Sequence, residues 1–411
     1  GEVLASGGRM NPQIRFGEDL MSRVSYVMLN PGGEQEMTRV VREAIDALVV
    51  DLCRRAGDRA DGVRPEDVLE ATFVGNPIIH HLLLGISPAA LGTAPFSLAT
   101  DEAVELSARE LVPSLHPGAR AYVLPCIAGH VGADAAAMLI AEAPWEDDAT
   151  TLLIDVGTNA EIILAGAGRI LAASSPTGPA FEGAQISCGQ RAAPGAIERV
   201  RVDPETLEAR FKVVGCDRWS DEEGFSEALG PEGVTGLCGT GIIEAIGELF
   251  LAGVIDASGR IDGGLAERSS RVQPDDRAYR YLLWAGSPAV TISQNDVRAV
   301  QLAKAALYAG VRLLMQRLEV ERVDRIRLAG AFGSTIDVEY AMVLGMIPDC
   351  DLERVSSAGN AAGTGAVMAL LDADLRDTIE TRVRSVEKVE TAVEPDFQEH
   401  FVQAMELPHS R

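Results

Sequence analysis

A chain of 411 residues with 36 basic and 61 acidic side chains carries a net charge of −25. That excess of carboxylates argues against a nucleic-acid ligand, whose phosphates call for clustered Lys and Arg. No apolar run approaches the roughly 18–20 residues that span a bilayer, and 47% apolar with 24% charged residues suits a folded protein of two or three compact units at roughly 100–200 residues each.

In chain order, Glu34–Ala56 is the clearest helix, with Met37, Val40, Val41, Ala44, Ile45, Leu48, Val49 and Leu52 on one face. Val68–Val74 reads as a strand stopped by Gly75-Asn76-Pro77, and Pro77 opens the helix Ile78–Leu84. Tyr122–Ile127 is a further strand, followed by the Ala-rich helix Ala133–Ala143. The acidic stretch Pro144–Asp148 separates two halves. Beyond it come the strands Thr151–Ile154, Glu161–Leu164 and Arg169–Ala173, the helix Gly241–Ala252, and a long helix, Asp296–Leu318, apolar almost all round and so expected inside. The strand Arg325–Leu328 and the helix Gly363–Leu371 close the series. Strand meanders followed by helices, twice over, predict a two-lobed α/β protein. The opening Gly1-Glu2-Val3-Leu4-Ala5-Ser6 is no signal peptide. Cys53, Cys126, Cys188, Cys216, Cys238 and Cys350 follow no ligand spacing, so we expect reduced thiols in a cytoplasmic protein and no iron–sulfur cluster on these residues.

Four glycine-rich elements can carry chemistry. Asp155-Val156-Gly157-Thr158-Asn159 ends a strand with a carboxylate suited to Mg²⁺ and a tight turn suited to phosphate oxygens; an ordinary β-turn is the plainer alternative. Gly236-Leu237-Cys238-Gly239-Thr240-Gly241 runs into a helix, where amides can face a polyphosphate. Leu328-Ala329-Gly330-Ala331-Phe332-Gly333-Ser334 follows a strand, and its glycines let a nucleoside lie against bare backbone. Ser357-Ala358-Gly359-Asn360-Ala361-Ala362-Gly363-Thr364-Gly365 opens a helix whose small residues suit either close helix crossing or a ligand.

In this order the four resemble the actin-like ATPase superfamily, with its ribonuclease H-like fold. Asp155–Asn159 then resembles the second phosphate loop, Leu328–Ser334 the adenosine loop, and Gly129–Ala143 and Ser357–Leu371 the two connecting helices. Further stretches resemble the reductive activators of corrinoid proteins: Asn11–Arg23, Gly75-Asn76-Pro77 with His80–Gly85, Pro179–Gly189, Ile292–Arg298 and Gln301–Ala306. The resemblance implies a first lobe over 1–146 lacking its N-terminal strands and first phosphate loop, a second lobe over 147–371, and a C-terminal extension over 372–411. It implies ATP with Mg²⁺ at Asp155, and nucleotide contacts from Gly157, Thr158, Asn159, Gly236, Gly239, Thr240, Gly241, Gly330, Ala331, Gly333 and Ser334. Asp155, Asp134 and Glu182 are the catalytic candidates. The implied function is weak ATP hydrolysis coupled to Co(II)-to-Co(I) reduction of a corrinoid protein. Electrons come from a 2Fe–2S ferredoxin domain, which, like an intervening domain, is expected to be absent from these residues; a homodimer is implied too. A small-molecule kinase of the same superfold and a non-catalytic docking or dimerisation scaffold stay open as alternatives.

Plainer roles stand beside several of these residues. His80 and His81 are adjacent and cannot share a helix face, so packing or capping is expected over a metal pair. Asp134 suits either a water facing a γ-phosphate or the positive end of a helix. Cys188 and Cys238 suit small buried apolar sites. Glu161 and Glu182 either face nucleotide or solvent, with Glu182 set among apolar neighbours. Glu387 through Glu399 reads as a solvated strand and helix.

Overall fold

The computed structural model describes residues 1–17, 19–57, 62–333 and 335–408. Contacts divide the chain into two units: Gly1–Glu146 with Asn360–Lys388, and Asp147–Gly359 with Val389–Arg411. No helix among the described residues is long and apolar enough to cross a membrane.

The N-terminal unit carries helices α1 (Leu20–Leu29), α2 (Gly33–Gly57), α3 (Pro77–Leu84) and α4 (Ala133–Glu142), with strands β1 (Glu70–Phe73), β2 (Val104–Ser107) and β3 (Arg120–Val123). Its sheet runs β1-β3-β2, with β1 parallel and β2 antiparallel to β3. The α2 stripe buries Met37 with Leu20, Val24, Ile78 and Leu82, while Ile45 and Val49 pack on a second cluster around Leu83, Leu111 and Val123. Asn76 caps α3 by accepting from the Ile79 amide at 3.1 Å, and Pro77 fills the first-turn position, where its missing N–H leaves nothing unpaired. The strand expected at Tyr122–Ile127 begins and ends earlier, at Arg120–Val123. Leu124 still donates to Phe73, but Pro125 has no N–H to continue the ladder, and Ile127 and Ala128 turn back to bond Val131.

Two late helices, α10 (Ala361–Leu371) and α11 (Ala373–Ser385), belong to this N-terminal unit. The linear reading, which ran a second lobe to residue 371 and set 372–411 apart, differs here for a packing reason. A Cβ at Gly365 would collide with the Ala137 carbonyl of α4, so the bare glycine lets α10 press on that helix. Thr72 of β1 donates to the Ala366 carbonyl at 2.9 Å, and the Arg376 guanidinium pairs with Glu70 and covers the Tyr122 ring at 4.7 Å. Gly365→Ala is therefore expected to destabilise this unit by about 1–3 kcal/mol, although the same change in an exposed helix would favour the helix by about 1 kcal/mol. Urea unfolding of the variant checks the sign.

His80 and His81 are buried, at 2% and 0% exposure. His81 Nδ1 lies 2.9 Å from the Pro77 carbonyl, and its Nε2 accepts the Ala99 amide at 3.0 Å. That pairing assigns the proton to Nδ1 and gives the ring a structural post. Burial, and secondarily His81, push the His80 imidazole down to about 4 from its ordinary 6.5. The unfolded chain thus takes up the proton first. The stability contributed by neutral His80 is complete above pH 6.5 and is lost as pH falls from there toward 4, about 3 kcal/mol in all. Urea midpoints measured across that window should flatten in His80→Leu; an unchanged slope would contradict the assignment.

The C-terminal unit is built on β4 (Thr151–Val156), β5 (Ala160–Gly166) and β6 (Arg169–Ser175), a meander matching the three expected strands. Strands β7 (Ala196–Val202), β8 (Ala209–Val213) and β9 (Gly236–Leu237) form a second sheet in the order β8-β7-β9, and β10 (Val272–Asp275), β11 (Ala278–Trp284) and β12 (Val290–Ser293) a third. Strands β13 (Arg325–Ala329) and β14 (Val355–Gly359) extend the meander as β14-β13-β4-β5-β6, with β13 parallel to both neighbours. The helices are α5 (Phe225–Ala228), α6 (Gly239–Leu251), α7 (Gln294–Leu318), the short α8 (Gly330–Gly333), α9 (Val338–Val343) and α12 (Phe397–Gln403). As its sequence foretells, α7 is buried along most of its length.

The motifs on α7 hold structure together. Ser293 and Asp296 form a capping box, and the other Asp296 oxygen accepts the Ser187 amide at 2.7 Å and hydroxyl at 2.9 Å, tying the Pro179–Gly189 stretch to the helix. Gln301 donates to the Ser258 and Met405 carbonyls at 3.0 and 2.8 Å. Lys304, at 0% exposure, donates to the carbonyls of Glu406 and Pro408, and burial pushes its ammonium down to about 7. These two side chains anchor the chain that follows α12.

Candidate functional site

Strand β4 delivers Asp155 to the C-terminal edge of a parallel pair. In register, Asp155 lies beside Ala329 of β13 on one side and Glu161 of β5 on the other. The parallel β4–β13 pairing explains why the first and third glycine-rich elements meet, although they stand far apart in sequence. Both leave the same end of the sheet.

Gly330 follows β13 with φ at +79°, and a Cβ there would collide with the Asp155 Oδ1 atom. The position thus needs glycine twice over, for its left-handed backbone and for the carboxylate against it. Asp155 is half-buried, that burial raises its carboxyl above the ordinary range, and no ion pair or side-chain hydrogen bond reaches the carboxylate among the described residues. A desolvated carboxylate without a partner is costly unless a cation or a proton joins it. No group of three or more metal-ligating side chains gathers there among the described residues, so a hard cation such as Mg²⁺ would take this one carboxylate and fill its other positions with water or phosphate oxygens.

The turn after Asp155 is held through its carbonyls. Thr177 Oγ1 donates to Gly157 and Thr158 oxygens at 2.9 and 3.1 Å, and the Gly178 amide donates to Thr158 at 2.9 Å. Thr158 Oγ1 in turn donates to Glu182 Oε1 at 3.1 Å. So the structure joins Asp155, the Gly157–Asn159 turn, Gly330 and Glu182. Glu182 is exposed, the solvent-facing one of the roles open to it, while its neighbour Phe181 turns inward. Asp134 falls in the other unit, in the first turn of α4, where its carboxylate accepts the Ala135 amide at 2.9 Å.

The second glycine-rich element divides its labour. Gly236 and Leu237 form β9 rather than a loop, pairing with β7. A Cβ at Gly241 would collide with the Ile197 carbonyl, so that glycine seats α6 on β7. Gly239 and Thr240 are half-buried in the first turn, and no side chain caps α6, which leaves amides of the kind that receive anions. Cys238 is buried with its Sγ near the Ile197 carbonyl and the Thr240 hydroxyl, as a packing cysteine should be, and Cys188 is half-buried. Ala331 and Gly333 are in the α8 turn; the Ala331 side chain and Ser334 lie outside the described residues.

Sequence reasoning missed a polar network behind these loops. Glu244 of α6 is fully buried; its Oε1 takes Arg199 at 2.5 Å, and its Oε2 takes Arg201 at 2.7 Å and the Val200 amide at 3.0 Å. Arg199 also reaches Asp337 at 3.5 Å, and Asp337 caps α9, the helix after the Gly330 turn. Glu248 accepts the Val202 amide at 2.7 Å and the Tyr340 hydroxyl. The available signal was a pair of carboxylates four apart on an otherwise apolar helix, opposite alternating arginines on a strand.

An antiparallel meander extended by parallel strands, with a strand-end carboxylate between two glycine turns, defines an actin-like (ASKHA) ATPase domain. Residues 149–411 match the family described as the C-terminal domain of RACo, the ASKHA domain, and residues 1–143 match the RACo middle region. The chain belongs to this family. It is 32% identical over 414 residues to the corrinoid activation enzyme RamQ of Eubacterium limosum, covering 98% of this chain and 66% of that protein. It is 27% identical over 270 residues to the Co(II) methylated amine-specific corrinoid protein reductase of Methanosarcina barkeri, covering 63% and 46%. A solved structure of a reductive activator for corrinoid, iron–sulfur protein superposes with a TM-score of 0.82 at 30% identity, over 100% of this chain and 63% of that one. The chain thus spans between 46% and 66% of the length of these relatives.

Proposed function

We propose that this chain binds and slowly hydrolyses ATP as part of a protein that reductively activates corrinoid proteins. The observation that carries the reading is the half-buried Asp155 carboxylate, set against the left-handed Gly330 backbone at the end of the β4–β13 pair. The names of the similar proteins supply the redox task. In this reading Asp155 holds Mg²⁺, which supplies charge neutralisation at the phosphates. The Gly157 amide closes the turn on the Asn159 carbonyl at 3.1 Å, so amides of Thr158 and Asn159 and of the first turn of α6 receive phosphate oxygens, the Gly330–Ser334 turn receives the nucleoside, and Glu182 orients Thr158. Phosphoryl chemistry here is positioning and electrostatics.

The coupled step moves one electron from a reduced 2Fe–2S centre, outside residues 1–411, to Co(II) of the corrinoid, giving Co(I) and the oxidised cluster. ATP and water give ADP and phosphate, and the conformational change they drive offsets an uphill reduction. The partners are a corrinoid protein, a ferredoxin domain and a second copy of the chain, in the cytoplasm. The test is the cobalt absorption spectrum of a corrinoid protein incubated anaerobically with the protein that contains these residues and its reductant. Co(I) should accumulate with ATP and Mg²⁺ and fail to do so when either is withheld; equal yields without ATP would refute the reading.

A further inference from the structure

Strand β7 packs against α6, which itself touches α9, and one β7 side chain reaches carboxylates on both sides of that contact. Arg199 Nη1 bonds Glu244 Oε1 at 2.5 Å, and the same nitrogen lies 3.5 Å from Asp337 Oδ2. Glu244 sits on α6, one turn beyond the uncapped amides of Gly239 and Thr240. Asp337 caps α9 by accepting the Glu339 amide at 3.0 Å, directly after the turn that begins at Gly330. Arg201 also pairs with Glu244 and stacks over the Tyr340 ring of α9 at 5.2 Å, a second link between the two helices, but the carboxylate that caps α9 is reached by Arg199.

We propose that Arg199 is a positioning residue for nucleotide, tying the phosphate-side helix α6 to the nucleoside-side helix α9 through Glu244 and Asp337. The inference rests on the nucleotide reading above and deepens it. The two N–H bonds of one guanidinium nitrogen serve carboxylates on two different elements, with a charge that stays fixed across the working pH range. Arg199 is 41% exposed at its side chain and Asp337 29%, so their contact faces solvent and contributes little to folding. Glu244, at 1% exposure of its side chain, keeps Arg201 and the Val200 amide when Arg199 is removed. The arginine thus has more to do with holding two helices at one spacing than with keeping the unit folded.

The experiment is isothermal titration of ATP with Mg²⁺ into the full-length protein and three single variants, with urea unfolding of each. Arg199→Ala and Asp337→Ala should each weaken ATP affinity about tenfold, and the double variant should be no weaker than either, since both break one tie. Arg271→Ala serves as the control. Its guanidinium pairs with Glu208 and the Leu282 and Leu283 carbonyls, a bridge of the same unit that touches neither α6 nor α9, and its ATP affinity should stay within twofold of the parent. Unaltered affinity in folded Arg199→Ala, an additive double variant, or equal weakening in Arg271→Ala would each overturn the assignment. Failure of the unaltered protein to bind ATP would instead overturn the functional reading on which it stands.

Discussion

Asp155→Asn is expected to lower ATP turnover about a hundredfold or more while leaving the protein at least as stable as before. Losing the carboxylate removes the ligand that fits Mg²⁺, and several kcal/mol of transition-state charge stabilisation go with the metal, at a tenfold rate change per 1.36 kcal/mol or so. The stability side follows from burial. Burial raises the Asp155 carboxyl above its ordinary 3.8, so the folded protein favours its neutral form. That contribution is present below pH 3.8 and is lost as pH rises through the raised value. At neutral pH the charged group weighs against folding, and asparagine relieves it. Phosphate release and urea midpoints at pH 7 check both halves. A variant that keeps turnover, or that unfolds at a clearly lower urea concentration, would remove Asp155 from the site.

Glu244→Leu is expected to cost the C-terminal unit about 3 kcal/mol, the lower end of what removing one partner of a buried ion pair costs. The carboxylate serves Arg199, Arg201 and the Val200 amide together. Leucine matches the apolar neighbours on α6 but leaves a buried amide without an acceptor. Both guanidinium groups are partly exposed, at 41% and 36% of the side chain, and rehydrate, which keeps the loss from being larger. Glu244→Gln, which retains an acceptor for Val200, should lose less. Denaturant unfolding of the two variants side by side gives the comparison, and a Glu244→Leu protein within 1 kcal/mol or so of the parent would contradict the network's role.

The glycine-rich elements show how far a motif carries. Gly241, Gly330 and Gly365 read alike as small residues at the head of a helix or turn. In the structure, Gly330 borders the Asp155 carboxylate, Gly241 makes room for the Ile197 carbonyl, and Gly365 makes room for Ala137. One glycine makes room for a carboxylate and two for backbone carbonyls, and nothing local in the chain separates them. Glu182, open in sequence to a nucleotide-facing or a solvent-facing role, is exposed and accepts the Thr158 hydroxyl.

What the sequence determined by itself was everything set by neighbours within a few turns. That covers α2 with its apolar stripe, the Asn76–Pro77 start of α3, the buried helix α7, the β4–β6 meander and its Asp155 turn. Hydrophobic period, caps and turn chemistry are local, so they are written in order along the chain. Tertiary structure alone decided which distant groups meet: Asp155 with Gly330, Ser187 with Asp296 across 109 residues, and Arg199 with Glu244 and Asp337 across 45 and 138. It also decided that α10 and α11 join the N-terminal unit. Those meetings depend on strand order and on which backbone can approach which, and the buried Glu244 of α6 meets Arg199 and Arg201 because that helix packs on β7.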